Sequence, residues 1–397
     1  MDLALVARPA WGKVVLLIGA GITAAFQIGK VPLALAPLQE EFGFGLATAG
    51  WVVALFAIMG ACTAIVLSFW VKVFGLKSSV LLGLSISCVA GLLGAMAPTT
   101  GLLLLSRACE GLGFVLTVLA VPPLITLCAP KGQGATAMAY WGIYLPTGAC
   151  LMLIVSALLL DVASWRMIWV ITALAQAAAA ICIAQLKLPP PEVAHAQTPP
   201  IWAYSPEQWA FIGILAGTFG LYAAQYFVFA SFLPKIFSTN ASLNAYQLAQ
   251  ITAAFIALNA VGNFTSGLLH RVGVPSWWLI CITALALLML APLILTDSEG
   301  FGIRILAAVV FSFLSGLTPS SLFASTTKLP GPAQNRAFLN ACLVQGSSLG
   351  QLLGTPLVAL VVARSGHWAD AVPIIWGMAL AIFVAGLAIG ILGKRLG

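Results

Sequence analysis

Charged side chains are scarce in this chain, and acidic ones are the scarcest. Only 7% of the 397 residues are charged, with 10 Asp and Glu against 17 Lys and Arg, while 61% are hydrophobic. A soluble domain carries about 25% charged residues. A folded chain of this composition would have too little polar surface to face water. The scarcity therefore excludes an ordinary soluble protein and favours one that is solvated by a lipid bilayer.

Several functional motifs are also missing. The chain has no HExxH, no GxSxG, no clustered His and no GxxxxGK[ST] run, so neither an integral-membrane enzyme nor a protein driven directly by ATP is favoured. The eight cysteines lie in apolar stretches without the spacing of a disulfide framework or a metal clamp. The net charge of +7 is spread thinly, which argues against nucleic acid. We predict a protein that is not an enzyme and has no cofactor, metal or nucleic-acid partner.

Long apolar runs dominate what is present. A spanning helix needs about 20 mostly apolar residues. The sequence predicts spans over 13–37, 47–71, 77–97, 101–127, 134–159, 166–187, 208–233, 246–270, 275–296, 302–326, 335–363 and 370–392. Pro32, Pro146 and Gly148 are predicted to interrupt the first and fifth spans. This pattern predicts an all-α membrane protein with twelve transmembrane helices.

The predicted spans fall into two related halves. Prolines at 189–191 and 199–200 exclude helix there, so the sequence predicts an N-terminal unit over 1–187, a linker over 188–206 and a C-terminal unit over 207–397. Gln27 matches Gln225, and Gly148 matches Gly350, at an offset of about 198 to 202 residues. Duplicated halves with a site between them near the midplane are typical of transporters.

The basic residues at span ends predict the topology. Eleven Lys and Arg lie at one set of ends and four at the opposite set. Cytoplasmic loops carry the excess of Lys and Arg, so both termini are expected in the cytoplasm. An even number of spans also requires both termini on one side of the membrane.

Three stretches carry a family resemblance. Arg107, Gly111 and Gly113 in the fourth span form an RxxxGxG pattern, and the stretch 164–169 reads SWRMIW before the sixth span. The loop after the second span keeps only the glycine and the last basic residue of a GxLaDRxGRK motif, at Gly75 and Lys77. The chain thus resembles the major facilitator superfamily. That resemblance implies two pseudo-symmetric six-helix bundles and transport by alternating access.

Two further stretches narrow the resemblance. The stretches 27–32 (QIGKVP) and 140–148 (YWGIYLPTG) are similar to the cyanate and nitroimidazole permease group, which shades into bacterial riboflavin and copper importers. This implies a monomeric secondary transporter in the bacterial inner membrane, surrounded by lipid. The implied substrate is a small anionic or heterocyclic solute, taken up with or without proton coupling. Efflux by proton antiport is the alternative, since Pro146 and Gly148 distantly resemble an antiporter motif. Copper or riboflavin import is a second alternative.

Three charged residues lie well inside predicted spans, namely Lys30, Arg107 and Glu110. Each costs about 2.5–3.5 kcal/mol at a helix centre, which indicates a function or a partner. Their heights predict a Lys30–Glu110 pair, with Arg107 one turn from Glu110. Either they brace neighbouring helices, or Lys30 and Arg107 bind a substrate anion while Glu110 exchanges protons. The other acidic residues fall near span ends or in loops, where solvation by water is expected.

Polar and aromatic side chains within spans are the other candidates for substrate contact. A side-chain amide in lipid needs a partner, so each should face protein or a wet cavity. Tyrosines could stack on a ring-bearing ligand. The resemblance implies that spans 1, 5, 7, 8 and 11 line the pore. With Lys30 and Arg107, the predicted substrate-binding residues are Gln27, Tyr140, Tyr144, Tyr222, Gln225, Tyr226, Asn259, Asn340 and Gln345, and Glu110 is the predicted proton-coupling residue.

Overall fold

The computed structural model describes residues 4–160, 163–187, 204–237, 245–296, 300–329 and 333–396. Within those ranges the chain is helical, with two short 3-10 helices at Thr326–Lys328 and Trp368–Ala371. The α-helices are α1 Ala4–Gly29, α2 Val31–Phe42, α3 Leu46–Phe74, α4 Leu76–Ala95, α5 Thr100–Cys128, α6 Gly134–Trp141, α7 Tyr144–Leu160, α8 Trp165–Gln185, α9 Pro206–Phe237, α10 Ala245–Arg271, α11 Ser276–Leu295, α12 Phe301–Ser315, α13 Leu317–Ser325, α14 Ala333–Ser365 and α15 Val372–Arg395.

Twelve segments of the described chain are long and apolar enough to cross a bilayer, which confirms the predicted number of spans. Helices α6 and α7 together form the fifth span, Gly134–Leu160, and α12 and α13 belong to the tenth, Phe301–Lys328. The outer surfaces are rich in exposed Leu, Ile, Val, Phe and Trp side chains. Such a surface suits hydrocarbon rather than water.

Three spans are broken inside the protein. In the predicted first span, 13–37, α1 ends at Gly29 and α2 begins at Val31 with Pro32 in its first turn, so the predicted interruption is present. A proline has no N–H, and its ring clashes with the carbonyl four residues earlier. Pro146 has the same effect on Gly142, four residues earlier, which directly follows the end of α6. A break at Gly316, between α12 and α13, was not predicted.

The packing follows the two predicted halves. In the first, α1 packs against α5, α7 and α8, and α4 packs against α5 and α8. In the second, α9 packs against α14 and α15, and α11 against α12 and α15. The halves meet where α3 contacts α14 and where α6 contacts α10 and α13. The predicted linker lies outside the described residues up to residue 203, and the unit boundaries stay a prediction.

The repeat is visible in one pair of glycine contacts. A Cβ on Gly148 would overlap the carbonyl oxygen of Ile22, and a Cβ on Gly350 would overlap the carbonyl oxygen of Gly220. Ile22 and Gly220 are 198 residues apart, and Gly148 and Gly350 are 202 apart, which is the predicted offset. The first and fifth spans therefore approach each other as the seventh and eleventh do, backbone against backbone.

Helix α2 is tied to the sixth span at its far end. Trp165 Nε1 donates to Glu41 Oε2 at 2.7 Å, and the Arg166 guanidinium forms an ion pair with the same carboxylate. Arg166 also donates to the carbonyl oxygen of Ala97 at 3.3 Å. Glu41, which the sequence predicts to be solvated by water, is thus also paired within the protein.

A single methyl group at Gly350 tests the close contact. We expect Gly350→Ala to destabilise the protein by about 1–3 kcal/mol, because the added Cβ overlaps backbone that cannot rotate away. Gly217→Ala is the matched control on α9, since a Cβ there has no atom within 4 Å. The measurement is the thermal unfolding midpoint in detergent, and equal midpoints for the two variants would contradict the packing.

Candidate functional site

A cavity lies between the two halves, near the middle of the spans. Helices α1, α3, α5, α7, α9, α10, α13 and α14 all contribute to its wall, and its volume in this conformation is about 70 Å³. Ligand sites usually measure about 300–1,000 Å³. The halves must therefore move apart before a solute of ordinary size can enter. The wall consists of Ile28, Phe56, Ala57, Gly60, Phe114, Gly142, Tyr144, Leu145, Pro146, Phe219, Tyr222, Tyr226, Phe227, Asn259, Asn263, Pro319, Phe323, Val344, Ser347, Ser348 and Gln351.

Asn259 is the centre of a polar network on the C-terminal side of the cavity. Its Nδ2 donates to the Tyr222 hydroxyl at 3.1 Å and to Ser315 Oγ at 2.9 Å. Asn263 Nδ2 donates to Asn259 Oδ1 at 3.0 Å, and Ser320 Oγ donates to Asn263 Oδ1 at 2.8 Å. Each amide is held in one orientation by at least two partners. A ligand would therefore meet polar groups whose positions are already set.

Aromatic rings form most of the remaining wall. Tyr222 and Tyr226 stack with centroids 5.8 Å apart and an interplanar angle of 12°. Tyr144 stacks on Trp141 at 4.1 Å and 12°. No charged side chain lines the cavity among the residues that the structure describes. The cavity thus offers flat apolar faces, phenol hydroxyls and amides, but no formal charge.

The three predicted charges form a charge cluster (Lys30, Arg107 and Glu110) inside the N-terminal helices. Lys30 Nζ lies 2.6 Å from Glu110 Oε1, which confirms the predicted pair, and the Arg107 guanidinium binds the other carboxylate oxygen. Arg107 Nε also donates to the carbonyl oxygen of Val52 at 3.1 Å. All three side chains are at most 1% exposed. The cluster therefore joins the first, second and fourth spans.

The charge cluster does not line the cavity. Lys30 Nζ lies 4.3 Å from the centroid of the Trp169 ring of the sixth span. The guanidinium carbon of Arg107 lies 5.6 Å from the Phe56 ring centroid, and Phe56 is a wall residue of the cavity. An aromatic ring thus stands beside the cluster on the cavity side. In this conformation the cations satisfy Glu110 rather than a ligand.

The other predicted site residues are spread over different places. Gln225 Nε2 donates to the Ile375 carbonyl oxygen at 3.2 Å, and Gln345 Oε1 accepts from the backbone N–H of Ile65 at 3.3 Å. The Tyr140 ring packs 5.4 Å from that of Phe264 and 5.9 Å from that of Trp11. Gln27 and Asn340 are buried away from the cavity wall, and Asn340 Oδ1 has no partner in the described part of the chain. Of the predicted residues, the cavity brings together Tyr144, Tyr222, Tyr226 and Asn259.

Sequence reasoning missed part of the polar wall. Asn263 lies one helical turn after Asn259, and this spacing could have marked it. Ser320 is not a wall residue but holds the wall residue Asn263, and it lies in a serine-rich stretch where small side chains usually serve close helix packing. Ser347 and Ser348 carried no signal, because a serine in a membrane helix usually bonds to its own backbone.

The comparisons with known proteins agree with this architecture. The family model described as Major Facilitator Superfamily matches residues 16–355. The putative metabolite transport protein YwtG of Bacillus subtilis is 28% identical over 149 residues, which cover 37% of this chain and 32% of that protein. The multidrug transporter mfsC of Aspergillus fumigatus is 26% identical over 145 residues, covering 36% and 28%. The chain thus aligns with about a third of the length of these relatives.

Solved structures resemble the chain over almost its full length. The outward conformation of FucP, the fucose:proton symporter of E. coli, gives a TM-score of 0.74 at 15% identity, covering 97% of this chain and 98% of that one. The human organic anion transporter MFSD10 gives 0.79 at 14% identity, covering 96% and 99%. The proton:xylose symporter XylE gives 0.75 at 11% identity, covering 97% and 94%. At these identities the likeness concerns the fold.

Removing the carboxylate of the charge cluster is expected to be strongly destabilising. In Glu110→Gln both Lys30 and Arg107 lose their counter-charge while buried, which costs about 3–5 kcal/mol. Lys30→Met should cost less, because the Arg107–Glu110 pair survives. Glu207→Gln is the control, since Glu207 pairs with Arg395 at 3.7 Å on the surface, where a pair contributes at most about 1 kcal/mol. Thermal unfolding in detergent ranks the three, and a wild-type midpoint for Glu110→Gln would refute the bracing role.

Proposed function

The chain belongs to the Major Facilitator Superfamily, and on that premise we propose that it takes up a small, uncharged, ring-bearing organic solute by alternating access. The family consists of membrane transporters, and the twelve spans of the described chain suit that activity. The observation that carries the choice of solute is the cavity wall, which has aromatic faces and amides but no charge. A charged solute would lose its hydration there without gaining a counter-charge.

The cavity wall favours the heterocyclic solute over the other predicted substrates. The sequence predicts an anionic or heterocyclic solute, and an anion would have to reach Lys30 and Arg107, which are occupied by Glu110. Cys, Met and His are absent from the described wall, so soft ligands for copper are not offered there.

In this proposal Tyr222 and Tyr226 bind the faces of the solute ring, and Tyr144 closes it from the N-terminal side. Asn259 and Asn263 bind its polar edge, because an amide can both donate and accept hydrogen bonds. The remaining predicted residues have positioning roles: Gln225 and Gln345 bond to neighbouring backbone, and Lys30 and Arg107 stabilise the N-terminal helices.

Glu110 is the proposed proton-coupling residue. Among the described acidic residues it is the one that is fully buried within a span. Its two oxygens are shared between a lysine and an arginine, so a proton on the carboxylate would weaken both pairs at once. Protonation would thus loosen the contact between the first and fourth spans and release the guanidinium of Arg107, whose Nε bonds to Val52 of the second span. This gives a physical link between proton uptake and movement of the helices.

We place the protein in the inner membrane of a bacterium, as a monomer with both termini in the cytoplasm. The excess of Lys and Arg at the ends shared with the termini supports this orientation.

A matched pair of solutes tests the charge preference. We expect nicotinamide, but not nicotinate, to protect the purified protein against thermal unfolding, because the two share a ring and differ in charge. Cyanate, nitroimidazoles, riboflavin and Cu(I) complete the panel. Any neutral ring compound that protects should also accumulate in proteoliposomes under an inward proton gradient. Protection by the anions alone would overturn the proposal, and loss of preloaded solute driven by an inward proton gradient would favour efflux by antiport instead.

Two substitutions separate the cavity from the charge cluster. We expect Asn259→Leu to raise KM for the neutral solute about tenfold, the loss of roughly one hydrogen bond. Lys30→Met should leave KM little changed, since Lys30 does not line the cavity. Initial uptake rates over a range of solute concentrations give both values. The opposite ranking would assign binding to the charge cluster and restore the anionic solute.

A further inference from the structure

Gln27 is a fully buried amide with no hydrogen-bond partner in the described part of the chain. Its side chain is 0% exposed, and neither Nε2 nor Oε1 has a partner among the described residues. Buried side-chain amides are almost always hydrogen-bonded, to protein or to ordered water. In a helix bundle surrounded by lipid the need for a partner is stronger still.

The neighbours of Gln27 show which helix it faces. Thr23 and Lys30 lie on the same side of α1, one turn before and one turn after it. Gln176 Nε2 donates to the Thr23 carbonyl oxygen at 3.5 Å, and Lys30 packs over the Trp169 ring. Gln27 therefore faces α8 between these two contacts. Gln176 Oε1 likewise has no partner in the described chain, so this α1–α8 seam contains one amide without bonds and a second amide whose oxygen is unbonded.

In the second half of the molecule, the amide at the equivalent position, Gln225, is hydrogen-bonded. Gln225 lies 198 residues after Gln27, the offset of the repeat. Its Nε2 donates to the backbone oxygen of Ile375 in α15, the last span, which is the counterpart of α8. The C-terminal unit thus closes this seam with a direct hydrogen bond. In the described part of the N-terminal unit, Gln27 has no bond, and Gln176 is bonded through Nε2 but not through Oε1.

The α1–α8 seam is separate from the solute cavity and ends at the charge cluster. Ile28, the next residue along α1, lines the cavity, and consecutive helical residues point about 100° apart. Gln27 and Gln176 are not part of the cavity wall. One turn further along α1 the seam reaches Lys30, whose Nζ contacts Glu110 Oε1 at 2.6 Å.

We propose that Gln27 and Gln176 bind ordered water in the α1–α8 seam, and that this water carries protons to Glu110 without passing through the solute cavity. The inference rests on the proposed proton coupling. In the transfer step a hydrated proton in the seam gives up its O–H bond as a new one forms on a Glu110 oxygen, and the carboxylate becomes neutral. The charged groups that the described chain brings to Glu110 are Lys30, from the break between α1 and α2, and Arg107 from its own helix.

Paired isosteric substitutions test whether water fills the seam. If water bonds to Gln27, Gln27→Met loses those bonds, and the unfolding midpoint should fall by about 2 °C or more. If the seam is dry, the same change removes two unsatisfied polar atoms and the midpoint should rise, which would overturn the proposal. Gln225→Met should lower the midpoint in either case, because that amide is bonded. It therefore calibrates the assay.

Transport in proteoliposomes tests the proton path. For a neutral solute identified by protection, we expect Gln27→Met to lose most proton-driven accumulation while solute exchange at equal pH continues at nearly the wild-type rate. Wild-type accumulation by Gln27→Met would overturn the path. Wild-type protein that exchanges solute but does not accumulate it under a gradient would overturn it too. Wild-type protein that neither exchanges nor accumulates any solute of the panel would contradict the proposed function itself.

Discussion

In a bilayer, a backbone N–H or C=O that leaves its helix must find another partner inside the protein, and this constraint decides where the spans of this molecule can break. The breaks lie at Lys30, at Gly142 and at Gly316. The first adjoins a buried ion pair, and the second lines the cavity. At the third, a Cβ on Gly316 would meet the backbone of the eighth span, so the break is covered by a neighbouring helix. Irregular backbone is therefore confined to places shielded from lipid.

The lipid bilayer also explains why the charge cluster is separate from the cavity. Two cations in a cavity that opens to water would attract any passing anion, whereas here both are held by one carboxylate behind an aromatic wall. The cavity can then be selective through ring faces and fixed amides alone. The charged side chains do not reach the cavity, and they instead connect the helices that carry them. Under the proposed function, this separation would let solute and proton act on the same helices without competing for one site.

The spans were predictable, but the side of each span that faces the cavity was not. Apolar runs of about 20 residues predict spans directly from the sequence. Two opposite charges at similar depth in two spans likewise predict an ion pair. Cavity lining depends instead on the rotation of each helix, which single-sequence patterns do not encode. Gln225 and Gln345 were therefore plausible ligands until each proved to bond to the backbone of an adjacent helix. Asn259 has the same chemistry and does line the cavity, on a rotation that packing alone decides.

Helix α2 is anchored at both of its ends. Lys30, at its start, is bound to the fourth span, and Glu41, near its end, is bound to the first residues of the sixth. A segment that begins at a proline break would otherwise be free to move relative to the helices beside it. Because it is bound at both ends, α2 must move together with the fourth and sixth spans. Opening on that face then requires displacement of the entire N-terminal assembly, not the lifting of one short helix.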